Sequence, residues 1–284
     1  MIGLNNKMRS FVLFAIGMLI VSCAETEQPM EWVYKETIEL DDVNPIGMTI
    51  SEGAIWLSDG DHNRVVQIDE KGNVLKQIDS LERPMHIDSE GKSLFVPQYG
   101  NDQILVANTD PEDNMQLMVF PQDSLDAPAS ISIWKGESAI ADFYNNRILY
   151  KEKDQWISFG KEGNGTAEFY YPTDVQITDS LIWVADAYNH RIQVFDKEGK
   201  FVKMMGQDQK MNAATGLFVS DSEVIITDFE NNRVLTFDHR GQLKQILNEG
   251  VHKATDVMVH DETLYILNYR KGELVRYQAQ EKKE

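Results

Sequence analysis

The sequence Asp186-Ala187-Tyr188-Asn189-His190-Arg191 is a polar tight turn between two apolar runs, 181–185 and 192–195. A turn of this kind between two strand-like runs predicts a β-hairpin. The hairpin recurs along the chain, because an Asp and an Arg five positions apart bracket three other short turns. These further pairs are Asp59/Arg64, Asp142/Arg147 and Asp228/Arg233.

Two weaker copies, Gln98/Gln103 and Asn268/Glu273, keep the same five-residue frame. The second members of the six pairs stand at 64, 103, 147, 191, 233 and 273, so that the units repeat every 39 to 44 residues. Nineteen residues before each of these positions stands a proline in the first four units and an alanine in the last two. A period near forty residues with short strands is typical of a β-propeller. The second landmark consists of Pro45, Pro84, Pro128, Pro172, Ala214 and Ala254.

The fourth unit resembles an NHL repeat in Tyr-Pro-Thr-Asp-Val (171–175), in Ile-Trp-Val-Ala-Asp-Ala-Tyr-Asn-His-Arg-Ile-Gln-Val-Phe-Asp (182–196) and in the glycines that follow. The resemblance covers about residues 32–277, and it implies an all-β fold, a six-bladed β-propeller of four-stranded antiparallel blades. NHL propellers serve for ligand binding, for protein or RNA docking, and in some members for catalysis. Good copies stand at 45–69, 128–151 and 214–238, and degenerate ones at 84–107 and 254–277.

The two ends of the repeat region complement each other. Residues 32–40 are rich in β-forming side chains but have no partner within the first unit. The sixth unit has only three predicted strands, at about 255–259, 263–267 and 273–277. We therefore predict that residues 32–40 supply the fourth strand of the last blade and close the ring, so that the propeller domain is 32–280.

The first 31 residues predict export and a lipid anchor. Lys7 and Arg9 precede an uncharged apolar run at 11–21, which is the pattern of a secretory signal and is too short to span a bilayer as a helix. Cys23 is the only cysteine, and Ile20-Val21-Ser22-Cys23 resembles a bacterial lipobox. The resemblance implies a signal peptide at 1–22, and an acylated Cys23 that begins a tether at 23–31. The alternative is a plain signal peptide with a chance cysteine.

Location and partners follow from the same features. Ala24 stands where an Asp usually retains Gram-negative lipoproteins in the inner membrane, so we expect an outer-membrane protein, facing either the periplasm or the cell surface. The formal net charge of −19 disfavours nucleic acid, whose phosphates such a surface repels. The expected partners are therefore the membrane, through the anchor, and a protein, peptide or glycan ligand on one propeller face.

Two rings of side chains are candidates for that ligand site, because the first strand of each blade lines the channel and the loop between the second and third strands opens beside it. We expect both rings to converge on one funnel with apolar walls and a few polar groups. The lower ring, two positions after the proline landmark, is Gly47, His86, Ser130, Asp174, Gly216 and Asp256. The upper ring, one position after the Asp frame, is Gly60, Tyr99, Phe143, Ala187, Phe229 and Tyr269, and Tyr188 beside Ala187 is a further ligand-binding candidate at the channel mouth.

Several alternatives stay open at this point. The four Asp/Arg pairs are expected to shape their turns, and Asp174 and Asp256 could simply cap backbone amides. The amidating lyase of the NHL family holds zinc through three histidines. Tyr188 matches its catalytic tyrosine, but residues other than histidine occupy the ligand positions here. The alternative to a non-catalytic binding module without cofactor is a metal-dependent (calcium or zinc) hydrolase, lactonase or lyase in the channel, using Asp174, Asp256, His86 and, as a further candidate, Tyr188. Asp174, Asp256 and Ser130 could hold calcium through oxygen ligands.

Overall fold

A computed structural model describes residues 30–110, 116–118 and 124–282. The predicted signal peptide and Cys23 lie outside the described residues. The described chain forms six four-stranded antiparallel sheets arranged in a ring, which is the six-bladed β-propeller predicted above. No helix in the described ranges has the length and apolar character needed to cross a membrane.

Each blade is a meander of consecutive strands. The chain enters through β1 (Met30–Glu39). Blade 1 contains β2 (Pro45–Ser51), β3 (Ala54–Asp59), β4 (Arg64–Ile68) and β5 (Val74–Ile78). Blade 2 contains β6 (Asp88–Glu90), β7 (Ser93–Gln98), β8 (Gln103–Asn108) and β9 (Gln116–Leu117). Blade 3 contains β10 (Pro128–Trp134), β11 (Glu137–Asp142), β12 (Arg147–Glu152) and β13 (Gln155–Phe159). Blade 4 contains β14 (Pro172–Ile177), β15 (Leu181–Asp186), β16 (Arg191–Asp196) and β17 (Phe201–Met205). Blade 5 contains β18 (Ala214–Val219), β19 (Val224–Asp228), β20 (Arg233–Phe237) and β21 (Leu243–Leu247). Blade 6 contains β22 (Ala254–His260), β23 (Thr263–Asn268) and β24 (Glu273–Glu281), and β1 is its outer strand.

The predicted ring closure is confirmed. β1 pairs antiparallel with β24 from Met30↔Glu281 to Glu39↔Glu273, so that the first strand completes the last blade. Trp32 also ties this blade to blade 5, because its indole donates to Glu223 at 2.9 Å and its backbone exchanges two hydrogen bonds with Gln245. The edge strand at the junction of the two chain ends is therefore paired and covered.

The hydrophobic core lies between neighbouring blades, because each sheet is covered on both faces. Between blades 4 and 5, for example, Trp183 and Val194 pack with Leu217 and Leu235, and all four side chains are buried. Strands that are covered on both faces have continuous apolar runs instead of alternation. This explains why the second and third strands of the units carry apolar residues on both faces, as Ile182, Trp183 and Val184 do in blade 4.

The four Asp/Arg pairs shape their turns as expected. The Arg Nε donates to an Asp Oδ2 at 2.6 to 3.0 Å in each of the four blades. In blade 4 the carboxylate of Asp186 also accepts from the backbone N–H of Tyr170, and Arg191 donates to the backbone carbonyls of Asn164 and Gly165. The pair thus fixes both the hairpin and the glycine-rich loop before the blade.

A second repeated contact joins successive blades, and the sequence analysis did not anticipate it. In the first five blades, the last residue of the turn between the second and third strands has a left-handed backbone, with φ between 51° and 61°. The side chain of this residue accepts a hydrogen bond from a backbone N–H of the next unit, that of the residue directly before its Pro or Ala landmark. We call this contact the inter-blade clasp. In blade 6 the position is Gly272, where a Cβ would lie 2.8 Å from the Val43 carbonyl oxygen. The clasps are Asn63–Arg83, Asp102–Ala127, Asn146–Tyr171, His190–Ala213 and Asn232–Lys253.

Candidate functional site

The channel holds a cavity of about 550 Å³ that opens at the turns between the first and second strands. Its floor is formed by His86, Ser130, Asp174 and Asp256, which are four of the predicted ligand-binding residues. The remaining two positions of that ring are glycines because the first strands approach each other closely there. A Cβ on Gly47 would lie 2.5 Å from His86 Cα.

A second ring lines the cavity one pleat further along the first strands, because alternate residues of a strand face the same side. Its members from the first four blades are polar and those from the last two are apolar, so the cavity has one polar and one apolar wall. Sequence analysis missed this ring, although the period-two alternation from the lower ring is its signal. The ring consists of Thr49, Asp88, Ser132, Gln176, Phe218 and Met258.

The floor carboxylates are held by the backbone of adjacent blades. Asp174 accepts from Ser130 Oγ at 2.6 Å and from the Leu217 N–H at 2.8 Å. Asp256 accepts from the Met48 N–H at 2.8 Å. Both aspartates therefore make the amide-capping contacts that were one of the two expectations for them, and these contacts also fix their orientation.

Charge is concentrated at this floor. Burial raises the pKa of Asp174 to about 6, with a smaller upward contribution from the nearby Asp256 carboxylate. Burial alone would lower the pKa of His86, but the carboxylates of Asp174 and Asp256 raise it above its ordinary value. Burial also raises the pKa of Asp88 in the wall to about 7. Buried carboxylates and an imidazole in a cavity are features of functional sites as well as of structural networks.

The aromatic residues of the upper ring lie elsewhere. Each loop between second and third strands is at the start of the first strand, since Pro172 pairs with Asp186 and Pro128 with Asp142. The cavity lining instead extends to Glu90, Trp134 and Lys135 at the other end of the first strands. None of the upper-ring residues lines this cavity, so the cavity does not support the expected convergence of both rings on one funnel.

Three of the predicted aromatic residues meet in a continuous cluster that we call the aromatic face. Phe143 stacks on Tyr171 with ring centroids 4.7 Å apart, and Tyr171 meets Tyr188 edge to face at 5.2 Å. Tyr99 meets Phe143 at 5.8 Å, and its hydroxyl donates to that of Tyr144 at 2.6 Å. The aromatic face consists of Tyr99, Phe143, Tyr144, Tyr170, Tyr171 and Tyr188.

The other two predicted aromatics make separate contacts. Lys253 lies over the Phe229 ring at 5.2 Å, and the Tyr269 hydroxyl donates to Asp61 at 2.8 Å. Sequence analysis did not select Tyr144, Tyr170 and Tyr171, although the adjacent pairs Phe143-Tyr144 and Tyr170-Tyr171 were visible beside the landmarks.

Comparison with known proteins agrees with this architecture. Residues 169–195 match the NHL repeat family. This chain is a six-bladed β-propeller that contains an NHL repeat. It is 36% identical over 99 residues to the RING finger protein nhl-1 of Caenorhabditis elegans, and 42% identical over 57 residues to NHL repeat-containing protein 3 of Homo sapiens. These segments cover 32% and 19% of this chain, but only 10% and 16% of those relatives.

Solved structures of two enzymes share the fold of this chain. A gluconolactonase from Xanthomonas campestris superposes with a TM-score of 0.68 over 87% of this chain and 98% of that chain, at 13% identity. A catalytically inactive virginiamycin B lyase from Staphylococcus aureus with quinupristin superposes with a TM-score of 0.63 over 88% of this chain and 99% of that chain, at 12% identity. At such identity the likeness concerns the fold alone.

Proposed function

We propose that this protein is a non-catalytic binding module, anchored by lipid outside the cytoplasm, that binds a protein, peptide or glycan ligand on its aromatic face. The observation that carries the proposal is the continuous array of six aromatic rings at one end of the propeller. Contiguous exposed apolar surface on a soluble domain marks interaction sites.

The exposure of these rings sets them apart from core aromatics. Tyr144, Tyr170 and Tyr188 are 46%, 38% and 55% exposed, whereas the aromatic residues of the core between the blades are buried. Tyrosine supplies a large apolar contact area and a polar hydroxyl, and it is enriched at protein interfaces and in their hot spots. Neighbouring rings that already contact each other lose little side-chain entropy when a ligand binds.

The binding proposal is tested with a triple variant, Tyr144→Ala/Tyr170→Ala/Tyr188→Ala. Its matched control is Leu75→Ala/Val202→Ala/Ile246→Ala, which removes three other exposed apolar side chains from outer strands. Both variants and the unchanged protein are used to capture ligands from envelope extracts, before and after protease digestion. We expect the tyrosine variant to lose a ligand that the control retains. Equal capture by the tyrosine variant would contradict the proposal, and a ligand that resists protease would be a glycan.

The lipid anchor is tested separately at Cys23. Metabolic labelling with a fatty-acid analogue should mark the protein and not its Cys23→Ser variant, because the thiol is the acylation site. The labelled protein should fractionate with the outer membrane, as the absence of Asp after Cys23 predicts. Labelling that persists in the serine variant would place the acyl group elsewhere.

Metal-dependent hydrolase, lactonase or lyase activity in the channel is the second candidate. The observation that favours it is the buried group His86, Asp174 and Asp256 on the floor of an open cavity. Tyr188 is absent from the cavity lining and belongs to the aromatic face, so its match to the amidating lyase gains no support from this group. Turnover of a lactone or ester, lost in a folded Asp174→Asn variant, would favour this candidate; lack of turnover with added zinc or calcium would contradict it.

A further inference from the structure

One histidine and two aspartates from three different blades meet on the floor of the cavity. His86 precedes β6, Asp174 lies on β14 and Asp256 lies on β22. One potential ligand atom from each residue falls within 4.8 Å of the others, and all three residues are buried. Three atoms at this spacing can share one metal ion, because metal–ligand bonds of about 2.0–2.6 Å allow ligand atoms to lie at such separations.

His86 supplies an independent indication of a ligand. The residue is only 5% exposed, and its Nδ1 has no hydrogen-bond partner among the described residues. The nearest carboxylate oxygen, Asp256 Oδ1, lies 3.7 Å away, beyond hydrogen-bond distance. Since nearly all buried polar atoms in folded proteins are hydrogen-bonded, an unpaired buried nitrogen that lines a cavity is a candidate ligand atom.

The two carboxylates are oriented before any ion arrives. Asp174 is fixed by the Ser130 hydroxyl and the Leu217 amide, and Asp256 is fixed by the Met48 amide. Asp174 Oδ1 accepts a second hydrogen bond, from the Val175 N–H, but Asp174 Oδ2 and both oxygens of Asp256 accept one each and keep a further lone pair. Hydrogen bonds of this kind to ligand side chains orient them and support metal affinity.

We propose that His86, Asp174 and Asp256 bind one divalent transition-metal ion of the zinc class at the channel floor. An imidazole nitrogen with carboxylate oxygens suits Zn²⁺ and its neighbours, whereas Ca²⁺ takes six to eight oxygen ligands. The site therefore prefers Zn²⁺ to the calcium considered from the sequence. Three protein ligands leave a coordination position free, and the adjacent cavity gives water or a small ligand access to it.

Electrostatics favour a divalent ion over the simplest competing arrangement. A protonated His86 would neutralise one of the two carboxylates, and its Nδ1 would still lie 3.7 Å from Asp256 Oδ1. A divalent ion bound by neutral His86 neutralises both Asp174 and Asp256 and also satisfies the buried nitrogen. The inference does not depend on ligand binding at the aromatic face, which lies on the opposite side of the propeller.

The test is metal titration of the purified, chelator-treated protein by calorimetry, with Zn²⁺ and Ca²⁺ in separate runs. We expect one Zn²⁺ per chain that is lost or at least about 10-fold weaker in His86→Gln, and at least about 10-fold weaker binding of Ca²⁺. His260→Gln is the matched control, because His260 is a partly exposed histidine that pairs with Asp261 away from the cavity. It should bind as the unchanged protein does.

A second readout reports on coordination directly. Co²⁺ added to the chelator-treated protein should give a visible ligand-field absorption that His86→Gln and Asp256→Asn abolish and His260→Gln keeps. Circular dichroism and the melting temperature establish that each variant is folded. Absence of stoichiometric Zn²⁺, unchanged Zn²⁺ affinity in His86→Gln, or a preference for Ca²⁺ would each overturn the proposal.

Discussion

At the level of single residues, burial decides how much each Asp/Arg pair contributes. The side chains of Asp186 and Arg191 are 0% and 5% exposed, whereas Arg233 in the equivalent pair is 22% exposed. Asp186→Asn should leave a buried guanidinium without its counter-charge and lower the free energy of unfolding by about 3–5 kcal/mol. Asp228→Asn should lower the free energy of unfolding by clearly less, because water can solvate the partly exposed Arg233. Urea denaturation of both variants checks this order, and equal losses would contradict it.

The inter-blade clasp makes a second prediction at this scale. His190 has φ 57° and its Nδ1 accepts from the Ala213 N–H at 3.0 Å. His190→Asn should preserve stability, because asparagine tolerates this backbone region and supplies an acceptor, as Asn146 and Asn232 do. His190→Ala should lower the free energy of unfolding by about 1–3 kcal/mol, because the Ala213 N–H loses its acceptor and alanine is strained in the left-handed backbone region. The two variants are compared by urea denaturation; an alanine variant as stable as the asparagine variant would show that the clasp contributes nothing.

Sequence could predict which residue types occupy the channel floor, but not their surroundings. The count from the proline landmark placed His86, Ser130, Asp174 and Asp256 in one ring, since strand position fixes which side chains face the axis. It could not show on which face the cavity opens, because that depends on how strands from different blades pack in three dimensions. The clasps were hidden for a similar reason: each acceptor and its donor are 20 to 25 residues apart in different blades.

At the level of elements, β1 should be essential for a closed ring. Trp32 is 9% exposed, packs against the core between blades 5 and 6, and donates to the buried carboxylate of Glu223. Trp32→Ala should lower the free energy of unfolding by about 3–5 kcal/mol, as large-to-small changes of aromatic residues do. Met30→Ala in the same strand is the control, because Met30 is 52% exposed and should be nearly neutral. Thermal and urea unfolding measure both, and a neutral Trp32→Ala would show that β1 does not support the ring.

Strand predictions succeeded where the turn residues are regular. In blade 4 the strand-like runs at 181–185 and 192–195 are observed as the strands Leu181–Asp186 and Arg191–Asp196. Blade 2 departs from the pattern: β6 begins at Asp88, four residues after Pro84, and the outer strand is described only as Gln116–Leu117. Leu117 is 53% exposed, so this outer strand buries little apolar surface that could stabilise it.

At the level of the whole molecule, ring closure predicts cooperative unfolding. Every blade packs against two neighbours, so no blade forms a free end from which unfolding could proceed independently, unlike an open repeat array. Trp32, Trp56 and Trp183 report from the chain junction, blade 1 and blade 4. Their fluorescence and the far-ultraviolet circular dichroism should therefore give coincident urea transitions. Separate midpoints would show that blades unfold individually.

The starting point of β1 would set the orientation of a propeller that is anchored through Cys23 as proposed. Met30 pairs with Glu281 at the end of blade 6 remote from Tyr269, hence on the side where the cavity opens. Seven residues lead from Cys23 to Met30, and such a segment spans at most about 25 Å. An acyl chain on Cys23 would therefore hold the propeller with its cavity toward the lipid headgroups and its tyrosines toward the aqueous compartment. Solutes reaching the channel floor would then pass along the bilayer surface, while larger partners would approach from the opposite side.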